Sequence, residues 1–399
     1  MPRTNFCSCT SRASLDHYGY AKSTWRLQNF CQHNKHGFEL HHLSMSAAIL
    51  PDYAIVQPLT PRTFPKGTFG LIYLANKKGS YQKCALRCVD LSETEDDELQ
   101  LLRNDILMLG SLCHPNIMCY ESNYLKGKDL YISMPYADYG SLRNLLNQDF
   151  PFGMNADIIS YILQCVLDAV IYLHKNSILH RRIQAKNILI DKFGKVLLTG
   201  FEFAVKLAEN GHRVKKLHDF PQKTVDFLPW CAPEVLKQDL EGYNGSSDIY
   251  SLGVTTCELA NGVIPYQTIP TLALLEKISG YHPRLLDQLT MANEPEETID
   301  QVYRQKKFSL AFHEFVNFCL RQEAESRPSA IWLRTHAFVK AGARNNIDHV
   351  TCLLPNPPLM NDSSNDASNT VMDSIQEDDV GEALACLSIH EICWDFDNL

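Results

Sequence analysis

The hydrophobic pattern of this chain changes period several times. From Tyr53 the runs YAIVQPL, GLIYLA and KCALRCVDL are rich in β-branched and aromatic residues and are separated by turn material, which predicts the opening strands of a small antiparallel sheet. In ELQLLRNDILMLGSLCHPNI the apolar positions move to helical spacing, and His114-Pro115-Asn116 marks the exit. DLYISMPYADYGSLRNLL then reads as a strand, a linker around Pro135-Tyr136-Ala137 and a helix start. Residues 155–177 form a long amphipathic helix with Ile159, Ile162, Leu163, Val166, Val170 and Leu173 on one face, a core stripe. A loop and a short hairpin follow in ILHRRIQAKNILIDKFGKVLL, then another helix in SSDIYSLGVTTCELANGVIPY. Residues 1–50 and 341–399 show no sustained period and read as a flexible extension and a flexible tail around a folded body over 51–340. Within the body, 279–308 is charge-mixed around ANEPEETIDQ and reads as an exposed insertion.

Composition narrows the class. An apolar content of 45% and an aromatic content of 10% fit a globular body, and 399 residues suffice for one large domain with extensions. The net charge of −9 is unevenly placed: residues 345–399 hold 11 Asp and Glu with no Lys or Arg. The rest is close to neutral, which gives no support to nucleic-acid binding. The 14 cysteines are scattered singly, as expected of a reduced compartment, and Cys7-x-Cys9 alone is a weak zinc signal. The most hydrophobic segment is interrupted by Gln164 and Asp168, so no membrane span is expected. The first residues lack an apolar signal core.

The candidate chemistry lies in residues 178–204, which resemble the catalytic loop and metal-binding corner of a protein kinase. In that pattern, H-R-D-x-x-x-x-N, the Asp accepts the substrate hydroxyl proton and the Asn holds magnesium; the Asp of D-F-G holds the metals over the phosphates. Here His180, Arg181 and Asn187 match, but Arg182 stands at the Asp position. Gly200-Phe201-Glu202 stands where D-F-G belongs. Upstream, the glycine-rich hairpin keeps Gly67 and Gly70 but has Pro65 in place of its first glycine, and two glycines in a turn are weak evidence alone. Arg87, in Cys84-Ala85-Leu86-Arg87, takes the place of the phosphate-binding Lys of V-A-I-K; it is longer, planar and not equivalent. Asp105 falls where the partner Glu of that Lys would lie, so an Arg87–Asp105 ion pair is feasible. The resemblance thus implies a two-lobed α+β kinase-like fold. It also implies a degenerate nucleotide cleft lined by Gly67, Gly70, Arg87, Met134, Tyr136, Ala137 and Asn187.

Structural landmarks of the kinase pattern persist further along. Cys231-Ala232-Pro233-Glu234 closes the activation segment as A-P-E does, Arg327 can supply the partner of Glu234, and Asp248 precedes Gly253 in D-x-x-x-x-G. Between Gly200 and Glu234 the only hydroxyl residue is Thr224, which argues against control by phosphorylation there. The strings HDFPQKTVDFLPWCAPEVLKQDLEGYNGSSDIYSLGVTTCELANGVIPY, TLALLEKISG and FSLAFHEFVNFCLRQEAESRPSA are similar to the STE20-related adaptor pseudokinases. Trp394-Asp395-Phe396 is similar to that family's C-terminal docking motif, although Asp397-Asn398-Leu399 follow it. The resemblance implies a catalytically inactive adaptor that binds and allosterically activates liver kinase B and keeps it cytoplasmic, with some nuclear presence. The third member of that heterotrimer is an armadillo-like helical-repeat scaffold, calcium-binding protein thirty-nine, held by Trp394, Asp395 and Phe396. No cofactor is required, and family members bind ATP without turning it over. Alternatives are an atypical active Ser/Thr kinase using Asn187 and Glu202 for metal, and a passive scaffold without allosteric output.

Overall fold

The computed structural model describes residues 53–59, 70–79, 82–126, 128–209, 212–220, 225–266, 280–290, 301–342 and 351–355. Gly67, Thr224, the extension over 1–50 and the Trp394-Asp395-Phe396 motif lie outside the described residues. The chain divides into a unit over Met1–Pro358 and a second over Leu359–Leu399, and every described residue belongs to the first.

The amino-terminal part is a five-stranded antiparallel sheet in the order β1-β2-β3-β5-β4, formed by Tyr53–Pro58, Leu71–Lys77, Lys83–Asp90, Ser122–Lys126 and Asp129–Pro135 as β1 to β5. Side-chain alternation along β3 sends Cys84 and Leu86 to one face, against Tyr53, Ala75 and the stacked rings of Tyr124 and Tyr131. Ala85 and Val89 go to the other face, with Leu102, Ile132 and Met134. The same period puts Arg87 on the face of Ala85 and Val89, beside helix α1 (Asp96–Ser111). Asp96, Asp97 and Glu98 in its first turn match the positive end of the helix dipole.

The helical part begins with α2 (Leu142–Gln148) and α3 (Ala156–Lys175). Asn155 caps α3 by accepting the Ile158 amide at 3.0 Å, and the expected stripe from Ile159 to Leu173 is fully buried. By length and composition α3 could cross a bilayer, yet its apolar face packs in the core of the helical part. After β6 (Ile178–Leu179) come the hairpin of β7 (Ile188–Ile190) and β8 (Val196–Leu198), α4 (Pro233–Leu236) and the central helix α5 (Ser246–Asn261). Residues 247–261 of α5 are all buried. Hydrogen bonds offset the burial of several of its polar side chains: Ser251 donates to the Trp230 carbonyl at 2.8 Å and Thr255 to the Ile183 carbonyl at 3.1 Å. Gly253 gives room to α6 (Leu310–Cys319), since a Cβ there would lie 2.7 Å from that of Cys319.

The stretch expected to be an exposed insertion carries exposed residues such as Tyr281 and Leu289, but it is also anchored at several described positions. Leu285, Asp287, Tyr303 and Phe308 are buried. The Asp287 carboxylate meets His313 Nε2 at 2.9 Å and accepts the Phe308 amide at 3.2 Å, while the Tyr303 hydroxyl donates to the Asn261 carbonyl at 2.8 Å. The segment closes the end of α5; its few apolar anchors are too widely spaced among charged residues to show as a period. Of the residues described past 340, Leu354 lies in the main core and the Tyr139 hydroxyl donates to the Pro355 carbonyl at 2.8 Å.

The carboxyl-terminal helices are tied to α4 by one buried pair, Arg327 donating to both Glu234 oxygens at 2.7 and 2.8 Å. Arg327 also donates to the carbonyls of Ser246, Gln322 and Arg321. Removing one member of such a pair leaves the other buried and uncompensated. Arg327→Met is therefore expected to lower the unfolding free energy by about 3–5 kcal/mol in urea titration; a loss below about 1 kcal/mol would show that the pair contributes only as much as a surface pair.

Candidate functional site

The loop at residues 180–187 hangs from Asp248 on α5. This carboxylate accepts the amides of His180 at 3.0 Å and Arg181 at 2.8 Å and meets His174 Nε2 at 2.9 Å. Burial pushes the Asp248 carboxyl up, but the His174 bond and the charges and amides around it outweigh that and hold it below the usual carboxylate range. The anchoring also supports strain: Arg181 has a φ of +64°, a left-handed conformation costing on the order of 1–3 kcal/mol for a side chain of its kind. The Arg181 guanidinium then reaches across the segment that follows Glu202. Nε donates to the Phe203 carbonyl at 2.6 Å, and Nη1 to the Tyr243 hydroxyl at 2.7 Å and the Asp219 carbonyl at 3.1 Å. These contacts tie the described part of the segment to the loop through groups of the protein itself. His180 is buried and pushed down to about 4, chiefly by that burial. Its Nδ1 accepts the Arg182 amide at 3.2 Å, and Nε2 donates to the Thr199 carbonyl at 3.1 Å, so the neutral ring protonated on Nε2 is the form that fits.

At the degenerate positions the geometry departs from phosphate chemistry. Arg182, 5% exposed, forms an ion pair with Glu202, 8% exposed. The guanidinium carbon lies 5.2 Å from the ring centroid of Phe203 and 5.6 Å from that of Phe227. Burial raises the Glu202 carboxyl, and Arg182 acts against that rise. Asn187 Nδ2 donates to the Arg182 carbonyl at 2.9 Å. Gly200 has a φ of +86°, and a Cβ there would sit 2.6 Å from the Asn187 side-chain Cγ. Position 200 thus has neither a carboxylate nor space for one. The donor set is poor for a magnesium ion: Gly200 offers no side chain and Glu202 is neutralised by Arg182, so of the three positions Asn187 alone brings a side-chain oxygen, and that oxygen is uncharged. Among the described residues, no three His, Cys, Asp or Glu side chains gather as a metal cage.

Across the cleft, Arg87 Nη1 lies 3.2 Å from Asp105 Oδ2, bringing the two opposed charges together. The Tyr120 hydroxyl donates to the same oxygen, and Asp105 Oδ1 accepts the Phe201 amide at 3.0 Å. Burial works against the Arg87 charge, but Tyr120, Asp105 and Glu202 outweigh it and raise the guanidinium above its ordinary value. Burial likewise drives the Tyr120 hydroxyl well up. One residue before Asp105, the Asn104 amide donates to the carbonyls of Glu202 and Ala204 at 2.9 Å each and faces that of Phe201 at 3.3 Å. Neither Tyr120 nor Asn104 has a spacing signal in the sequence; only the adjacency of Asn104 to Asp105 could have drawn notice. Met134 is buried in one apolar cluster with Ala85 and Leu197, against which Tyr136 and Leu189 pack, and Ala137 is buried within the linker. Gly70 stands at the start of β2, with a φ of +79°.

Comparison with known proteins is consistent with this architecture. The protein kinase domain family matches residues 62–339. STE20-related kinase adapter protein alpha of Mus musculus is 34% identical over 79% of this chain and 80% of its own length. The Gallus gallus alpha protein is 36% identical over 73% of this chain and 82% of its own length. The Homo sapiens beta protein is 33% identical over 71% of this chain and 75% of its own length.

Two outcomes follow from the geometry. Because the His180 pKa is depressed in the folded state, the unfolded chain binds more protons between about pH 6.5 and pH 4; this contribution is complete above pH 6.5 and is lost on acidification. Comparing unfolding free energies at pH 7 and pH 5, the decrease should be smaller by about 2 kcal/mol in His180→Gln than in the parent. An equal decrease in both would show that His180 is not the titrating group. Gly200→Asp is expected to lose about 1–3 kcal/mol of stability, because a side chain there is strained and meets Asn187. A variant as stable as the parent, with a melting temperature raised by magnesium, would show that the metal position can be rebuilt.

Proposed function

The chain belongs to the STE20-related kinase adapter family within the protein-kinase fold, and from that premise we propose that it acts as an adapter without phosphoryl transfer, switching on a Ser/Thr kinase of the liver kinase B type by contact. The observation that carries this reading is the buried Arg182–Glu202 pair. Arg182 cannot take a proton from a substrate hydroxyl, and the carboxylate nearest to it is already neutralised. A positioned general base is worth about 10²–10⁴ in rate. The metal and cation clamps that supply much of the remaining stabilisation are not built from Gly200, Asn187 and Glu202 as they stand. What the fold retains is shape: a strained loop held by Asp248, an activation segment held by Arg181, and a helix α1 drawn in by Asp105.

In this reading ATP is not needed for the working conformation, and any nucleotide bound is not turned over. The second partner is the armadillo-like helical-repeat scaffold, calcium-binding protein thirty-nine. It is engaged by Trp394, Asp395 and Phe396, where two large aromatic side chains on an acidic segment give an anchor with few bonds to freeze. The complex would work in the cytoplasm and hold its kinase partner there.

Reconstitution tests the proposal. The full chain is mixed with purified liver kinase B and the scaffold, and phosphorylation of a peptide substrate of liver kinase B is followed. Stimulation is expected with the parent, with reduced scaffold capture by Trp394→Ala/Phe396→Ala and no transfer by the chain alone with magnesium or manganese ATP. Transfer by the chain alone at an ordinary kinase rate of about 1–100 per second, or no stimulation of the partner, overturns the reading.

A further inference from the structure

We infer that Asn104 is a positioning residue, which together with Asp105 holds the Gly200–Ala204 segment against α1 without needing nucleotide or metal. The two residues are neighbours on α1, about 100° apart around the helix, and they take the two kinds of backbone group on the same segment. Asp105 Oδ1 accepts the Phe201 amide at 3.0 Å. The Asn104 carboxamide turns its nitrogen to the carbonyls of Phe201, Glu202 and Ala204 at 3.3, 2.9 and 2.9 Å. Only the donating end of the carboxamide can face three carbonyls, so its orientation is fixed by the chemistry. The Asn104 half of the latch is neutral, and the Asp105 half is already balanced by Arg87, so neither requires a cation from solution.

The latch also explains how Glu202 reaches Arg182. With its carbonyl held by Asn104, the Glu202 residue is fixed at its backbone, and its side chain pairs with Arg182. In a working kinase, closure of the lobes can be driven by the bound nucleotide and its ions. Here the same surfaces are joined by side chains of the protein itself. The inference concerns the conformation of the body, and it can be tested separately from the adapter reading.

The test is amide hydrogen exchange on the full chain, read at Phe201 and Ala204, with Asn104→Asp and Asn104→Ala beside the parent. The first variant keeps the shape and removes the donor; the second removes the donor without adding charge. In the parent both amides are expected to be protected without ATP, and ATP with magnesium should add little. In both variants they should exchange faster on the order of tenfold, as for loss of one or two hydrogen bonds in a local opening. Amides of α5 should stay at the parental rate, which separates a local opening from general destabilisation. Protection that develops in the parent only with nucleotide, or exchange unchanged in both variants, overturns the inference. The same samples are then assayed for stimulation of liver kinase B. If the parent fails to stimulate, the adapter reading falls while the exchange data still decide the latch. If the parent stimulates and both variants with accelerated exchange stimulate equally well, the latch has no part in adapter output.

Discussion

A guanidinium group taken out of water costs several kcal/mol unless a counter-charge comes with it. This molecule holds two of them in one cleft, Arg182 buried and Arg87 largely so, and each is met by a carboxylate, Glu202 and Asp105. The balance decides what else can be there. Both of these carboxylates are committed and so are poor ligands for a divalent metal, and with both guanidiniums committed, phosphate oxygens would have to compete with a neighbour already in place. The aromatic rings of Phe203 and Phe227 complete the enclosure of Arg182. A site built for transient charges has become one whose charges are permanently paired.

Around this cleft the supports of the fold are intact and polar. Asp248 on the buried helix α5 holds the loop by two amides, and Arg181 ties that loop to the segment beyond Glu202. On the same helix Glu258 accepts Arg143, the Trp230 indole at 2.8 Å and the Ala185 amide at 3.2 Å. Burial pushes its carboxyl up against the pull of Arg143. Such networks position backbone, and a surface that must fit a partner needs that as much as an enzyme does. Loss of chemistry and retention of architecture are therefore compatible in one chain.

Much of this was legible in the sequence, for physical reasons that differ by element. The strands and the α3 stripe follow from period alone, because one face of each must be buried. The Arg87–Asp105 and Arg327–Glu234 pairs could be named because opposite charges stood at positions that the kinase pattern brings together. Arg182–Glu202 is not legible in this way: from the sequence Glu202 suggests a metal ligand, whereas its partner is the cation 20 residues earlier in the chain. Tyr120 and Asn104 were missed because a polar residue on a half-buried face shows no period, and its partners are chosen only in three dimensions. Leu285, Tyr303 and Phe308 were hidden in the same way, as isolated anchors among charged neighbours.

The contact between the Tyr139 hydroxyl and the Pro355 carbonyl, with Leu354 seated in the core beside it, fixes where the last described residues of the body leave it. That point adjoins the linker of Pro135, Tyr136 and Ala137, the connection about which the sheet and the helical part would turn. A substitution that removes the Tyr139 hydroxyl would therefore act close to the joint between the sheet and the helical part, far along the chain from the residues whose anchorage it loosens.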